Sequence, residues 1–158
     1  MALRPTPTYN LGKSKRSAAN VPEDFSIEVR NRREDIAPAI QAAQAWLADR
    51  QAPPNIAYFA DLAIEEILTN CIQYGYDGNL EHMILITMTI ADQVLTMQIV
   101  DDGRAFDPMA APPPDLSINL ADRREGGLGI YLLRKLSDAM TYERDNGTNR
   151  ITLLKMLA

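Results

Sequence analysis

From Phe25 onward the chain changes period in a readable way. Phe25, Ile27 and Val29 alternate with polar neighbours, the period of two that turns one face of a strand toward a core. From Asp35 the apolar spacing lengthens to three and four through Ile36, Ile40, Ala43 and Leu47, which predicts a helix with Trp46 as a core residue near its end. The stretch 51–55, with Pro53-Pro54, ends that helix and starts another. The second helix has the cleanest periodicity: Ile56, Phe59, Ala60, Ala63, Ile64, Ile67, Leu68, Cys71 and Ile72 fall at i, i+3, i+4, i+7 throughout. Cys71 lies on that stripe and reads as a small buried hydrophobe.

Two alternating runs, 84–90 and 94–100, meet at Ala91-Asp92-Gln93 and predict an antiparallel hairpin. A third helical stretch covers 130–136, and residues 139–144, a turn at Asp145-Asn146-Gly147 and residues 151–157 predict a terminal hairpin. The inventory is an α+β two-layer sandwich, helices over one face of a mostly antiparallel sheet.

Composition bounds the rest. With 158 residues, 46% of them hydrophobic, the chain suffices for one packed domain, read as residues 23–158. Residues 1–22 mix Pro, Ser, Asn, Lys and Arg without apolar periodicity and read as a flexible, solvated arm that carries the basic residues Arg4, Lys13, Lys15 and Arg16. With a net charge of -5 elsewhere unrelieved by basic blocks, direct nucleic-acid binding is not expected. The single cysteine excludes an internal disulfide, and there is neither an apolar stretch of the roughly 20 residues that span a bilayer nor the apolar core of a signal peptide. The expectation is a cytoplasmic protein without a membrane partner. Residues 104–125, with Pro108, Pro112, Pro113 and Pro114, read as a loop too long to be a plain connection, and a lid over a site is the reading it invites.

Three groups of residues could carry chemistry. Glu66 and Asn70 lie four apart on the second helix and so share a face, with Gln73 and Asp77 extending the row. A carboxylate one turn from a carboxamide can take a proton from an attacking hydroxyl while the amide oxygen offers Mg²⁺ a hard neutral ligand. Asp101 ends a hydrophobic strand and Gly103 follows; an ionised aspartate accepts hydrogen bonds only, which suits the amino group of adenine, and glycine lets backbone approach a base closely. Gly126-Gly127-Leu128-Gly129 opens a helix, where free N–H groups and the helix dipole favour an anion. Neither a P-loop nor a full G-x-G-x-x-G is present. His82, the only histidine, falls at a strand start and reads as a surface residue.

The succession Glu66-Ile67-Leu68-Thr69-Asn70, then residues 101–108 as D-D-G-R-A-F-D-P, then Gly126-Gly127-Leu128-Gly129-Ile130, resembles the N, G1 and G2 boxes of the GHKL ATPases. The D-x-G-x-x-F-D-P form and the small size resemble the anti-sigma regulatory serine/threonine kinase branch, over residues 25 to 157. That resemblance implies the Bergerat-type fold with a mixed, largely antiparallel sheet, and ATP and Mg²⁺ as cofactors. It also implies Glu66 as general base, Asn70 as metal ligand, Asp101 and Gly103 at adenine, and Gly127 and Gly129 at the phosphates. The implied activity is transfer of the γ-phosphoryl group to a serine of a STAS-type anti-sigma-factor antagonist, with a sigma factor as second partner and a homodimer through the first strand left open. The chain has Gln73-Tyr74-Gly75-Tyr76 where many relatives carry a histidine after the asparagine. Gly147-Thr148-Asn149-Arg150 matches the final box only loosely, and no site residue is assigned there. The alternative is a nucleotide-switched binding module that needs no base.

Overall fold

The computed structural model describes residues 24–118 and 127–158. The arm at 1–22, Gly126 and the last part of the expected lid lie outside the described residues. The elements run β1 (Phe25–Arg30), a 3₁₀ turn (Arg33–Asp35), α1 (Ile36–Asp49), α2 (Pro54–Tyr74), β2 (Met83–Ala91), β3 (Val94–Asp101), α3 (Gly127–Leu136), β4 (Ala139–Asp145) and β5 (Thr148–Met156). This is the α+β architecture that the periodicity predicts.

The five strands order as β1-β2-β3-β5-β4. Each of the four pairings is antiparallel, so the described sheet contains no parallel pair where a mixed one was expected. Both two-residue turns carry left-handed backbone, Asp92 and Gln93 at φ 51° and 63° and Asn146 and Gly147 at φ 48° and 76°. Positive φ at both central positions matches the right-handed twist of the flanking strands. These turns fix the register, and because side chains alternate, they decide which residues face the helices.

Ile84, Ile86 and Met88 of β2, Leu95, Met97 and Ile99 of β3, and Ile151 and Leu153 of β5 are buried on one face. Against them α2 sets Ile56, Phe59, Ala63, Ile64, Ile67 and Leu68, and α1 sets Ala43, Trp46 and Leu47. Trp46 is a core residue as expected, 5.9 Å from the Phe25 ring centre to centre. Gln44 ties α1 to α2 through the Ala57 carbonyl, 3.0 Å, and the Asp61 carboxylate.

The second helix starts on Pro54, where a missing N–H costs nothing, and stops at Tyr74. Gly75 then donates its N–H to the Cys71 carbonyl at 2.8 Å. Asp77 therefore falls beyond the helix and leaves the polar row on which the spacing placed it; it pairs with Arg104 instead.

Candidate functional site

At one end of the layer between α2 and the sheet, where α2 and β3 both end, a cleft opens. Its apolar floor is Ile67, Ile130 and Ile151; Asn70, Cys71 and Asp101 give it polar walls; Tyr74, Arg104 and Phe106 line its mouth. Asp101 is inside because it shares the parity of Leu95, Met97 and Ile99 along β3. Asn149 is inside for the same reason, two residues before Ile151 on β5, and it stands directly opposite Asp101 in the ladder.

Asp101 is 5% exposed and its two oxygens have different surroundings. Oδ1 accepts the Gly103 N–H at 2.8 Å and the Asn149 Nδ2 at 2.9 Å. Among the described residues Oδ2 accepts only the Cys71 S–H, at 3.4 Å. Burial, reinforced by Asp101, holds the Cys71 thiol well above its ordinary range, so the sulfur keeps its proton and acts as donor. Cys71 thus lines the cleft rather than only filling the core. Burial and the carboxylates of Asp101 and Asp102 likewise raise the Tyr76 phenol, keeping it neutral.

Gly103 approaches α2 so closely that a Cβ there would sit 2.8 Å from the Gly75 carbonyl oxygen. The Arg104 N–H donates to that same oxygen at 2.8 Å. The loop leaving β3 is therefore stitched to the end of α2. Residues 104–118 contain no helix or strand, and Arg134 of α3 reaches the Ala111 carbonyl at 3.1 Å.

Asn70 is 8% exposed, and its Nδ2 has no hydrogen-bond partner among the described residues. A buried amide donor without an acceptor is costly, about 1–3 kcal/mol, unless a ligand supplies one. The cleft thus offers an unused donor at Asn70 and a thinly occupied acceptor at Asp101 Oδ2, which fits a nucleotide. One turn back on α2, Glu66 lies against α3: a Cβ on Gly129 would stand 1.9 Å from the Glu66 carboxyl. Burial, reinforced by Glu65, raises the Glu66 pKa. Gly127 is the first described residue of α3, exposed, and among the described residues nothing lies within 4 Å of where a Cβ would project.

The predicted residues therefore separate into two neighbouring groups. Asn70 and Asp101 line the cleft and Gly103 is bonded to Asp101, whereas Glu66 and Gly129 touch each other outside its wall. His82 is half-buried rather than a plain surface residue, stacked on Tyr76 at 4.5 Å with Nδ1 3.1 Å from Asp102. Asn149 is the residue that the sequence reading passed over. The signal was present: inward Ile151 and Leu153 imply an inward Asn149 by alternation alone.

Over residues 29–155 the chain matches the histidine kinase-like ATPase domain family. It is 32% identical over 99 residues to the serine/threonine-protein kinase BtrW of Bordetella bronchiseptica, an alignment covering 63% of this chain and 70% of that protein. It is 32% identical over 101 residues to the serine-protein kinase RsbW of Staphylococcus epidermidis, covering 61% of this chain and 63% of the relative. The anti-sigma F factor of Clostridium beijerinckii is 26% identical over 133 residues, 83% of this chain and 92% of that one. In fold, the chain is similar to the crystal structure of the RsbU and RsbW domains of Rv1364c from Mycobacterium tuberculosis, with a TM-score of 0.62 at 16% identity, over 85% of this chain and 32% of that chain. The chain belongs to the histidine kinase-like ATPase domain family, beside relatives named as serine-protein kinases and anti-sigma factors.

Proposed function

We propose that this chain is an ATP-dependent serine/threonine protein kinase that phosphorylates a serine of a STAS-type anti-sigma-factor antagonist in the cytoplasm and thereby regulates a sigma factor. The observation that carries the reading is Asn70, a buried carboxamide with an unpartnered donor, in one cleft with Asp101 and one helical turn from Glu66. The names of the relatives, which include serine-protein kinases and an anti-sigma F factor, support the same substrate class.

In this reading ATP supplies the transferable phosphoryl group, and Mg²⁺ the charge neutralisation that transfer needs. Asp101 Oδ2 accepts from the adenine amino group, and Gly103 keeps the approach to the base clear of side chain. Asn70 presents an amide nitrogen for a phosphate oxygen and an amide oxygen for the cation, which needs few protein ligands. Gly127 and Gly129 offer phosphate the backbone N–H groups at the positive end of α3. Glu66 takes the proton from the incoming serine hydroxyl, and its raised pKa makes it the better acceptor.

A switch that binds nucleotide without transferring phosphate would need Asn70 and Asp101 but no base. The desolvated carboxyl of Glu66 favours the kinase. Incubation with γ-labelled ATP, Mg²⁺ and the cognate antagonist decides between them: the kinase reading expects label on a serine of the antagonist. Tight ATP binding with an unlabelled antagonist selects the switch.

A further inference from the structure

The Asn149 side chain, 3% exposed, makes more polar contacts than its neighbours in the cleft, and the phosphoryl-transfer reading leaves it without a task. Its Nδ2 donates to Asp101 Oδ1 at 2.9 Å and to the carbonyls of Arg104 at 2.9 Å and Gly103 at 3.3 Å. Its Oδ1 accepts from the Tyr142 hydroxyl at 2.7 Å and from Arg144 Nη1 at 2.6 Å. Arg144 Nη1 also reaches the Gly103 carbonyl at 3.0 Å. Two donors on one side of the amide oxygen decide which way the amide faces, because a flipped amide would turn its own N–H groups toward a hydroxyl and a guanidinium.

We infer that Asn149 is a positioning residue that locks one oxygen of Asp101, leaves the other as the fixed acceptor for the base, and so sets the preference for a 6-amino over a 6-oxo purine. The inference rests on the reading of Asp101 as the base-recognising residue. The physical case is a division of the carboxylate. Oδ1 is saturated by two N–H donors, so its plane is set by the β3–β5 ladder and by the loop root. Among the described residues Oδ2 has only a weak S–H donor, from Cys71, which lines the cleft with Asp101, and so it keeps acceptor capacity. A fixed acceptor favours an amino group and repels a carbonyl oxygen at the same place, and discrimination built that way is large because the wrong ligand leaves buried groups unpaired. A carboxylate released from Asn149 can turn away from a 6-oxo group, so the mismatched nucleotide loses less than the matched one.

The test is calorimetric titration of the full chain with Mg-ATP and Mg-ITP. For wild type, ATP binds at least about tenfold more tightly than ITP. Asn149→Ala is expected to weaken ATP about tenfold and to shrink the ATP:ITP ratio by about threefold or more. Equal weakening of both nucleotides, or none, overturns the inference, since general loosening of the fold moves both alike. If Asn149→Ala does not fold, Tyr142→Phe, which removes one hydroxyl from the amide oxygen, carries the same test: a smaller ratio supports the inference and an unchanged one overturns it. Asp101→Asn separates the two readings. If it binds ATP as wild type does, the base-recognition reading fails; if it loses ATP while the ratio stays constant in the Asn149 and Tyr142 variants, only the role of Asn149 fails.

Discussion

At Glu66 the carboxyl is desolvated beside α3, and its charged form is disfavoured. A raised folded-state pKa makes the folded protein the better proton binder. The contribution to stability is therefore complete below the ordinary glutamate value of 4.5 and is lost as pH rises through the folded value. Glu66→Gln removes that titration, so its melting temperature should lie above wild type near pH 7 and converge on it as pH falls to about 4. A melting difference that stays constant across this range would contradict the desolvation argument. Residue identity was legible where parity carries it, as at Asp101, which follows Leu95, Met97 and Ile99 inward. Cys71 was not, because its place on an apolar stripe gives no hint that a carboxylate from β3 comes within 3.4 Å.

The second helix serves two purposes, with an apolar stripe in the core and Glu66 and Asn70 along the edge that meets α3 and the cleft. Its glycine neighbours separate fold from chemistry. In Gly129→Ala the new methyl would stand 1.9 Å from the Glu66 carboxyl and 2.4 Å from its Cγ, so that flexible side chain must swing aside as a whole, while Ala is the better helix former by about 1 kcal/mol. We expect stability within about 1 kcal/mol of wild type by urea unfolding, with phosphoryl transfer reduced as in Glu66→Gln. In Gly103→Ala the methyl meets the backbone oxygen of Gly75, which cannot yield without loosening the Arg104 to Gly75 bond. That variant should lose stability and ATP affinity together, by about 1–3 kcal/mol in unfolding free energy. Helix extents were legible from period alone, but the stop at Tyr74 was not. Gly75-Tyr76-Asp77 has no proline, and what fixes the end is the meeting of Gly75 with the β3 loop.

The described residues fold around one layer of apolar contacts between α1, α2 and α3 and the sheet, and the cleft is where that layer opens. Leu68 is fully buried at its centre, so Leu68→Ala should cost about 2–5 kcal/mol by urea unfolding. Trp46 fluorescence and far-ultraviolet dichroism should report the same transition, since the Trp46 contact with Phe25 and the α2 stripe belong to one core. The two hairpins were legible, each spanning neighbouring runs with a short turn. The β3–β5 pairing was not, because it joins Asp101 to Asn149 across the loop and α3, and no local pattern encodes a register over that distance. That pairing completes the site by bringing the final strand to the aspartate.

In the proposed mechanism nucleotide binding and proton removal fall to different residues, Asn70 and Asp101 for the first and Glu66 for the second. Wild type and Glu66→Gln should be compared in one experiment, with Mg-ATP affinity and the rate of label transfer to the antagonist measured on the same samples. We predict affinities within about threefold of each other and a transfer rate at least about 100-fold lower in the variant. Equal transfer rates at equal occupancy would remove Glu66 from the chemistry and contradict the proposed mechanism.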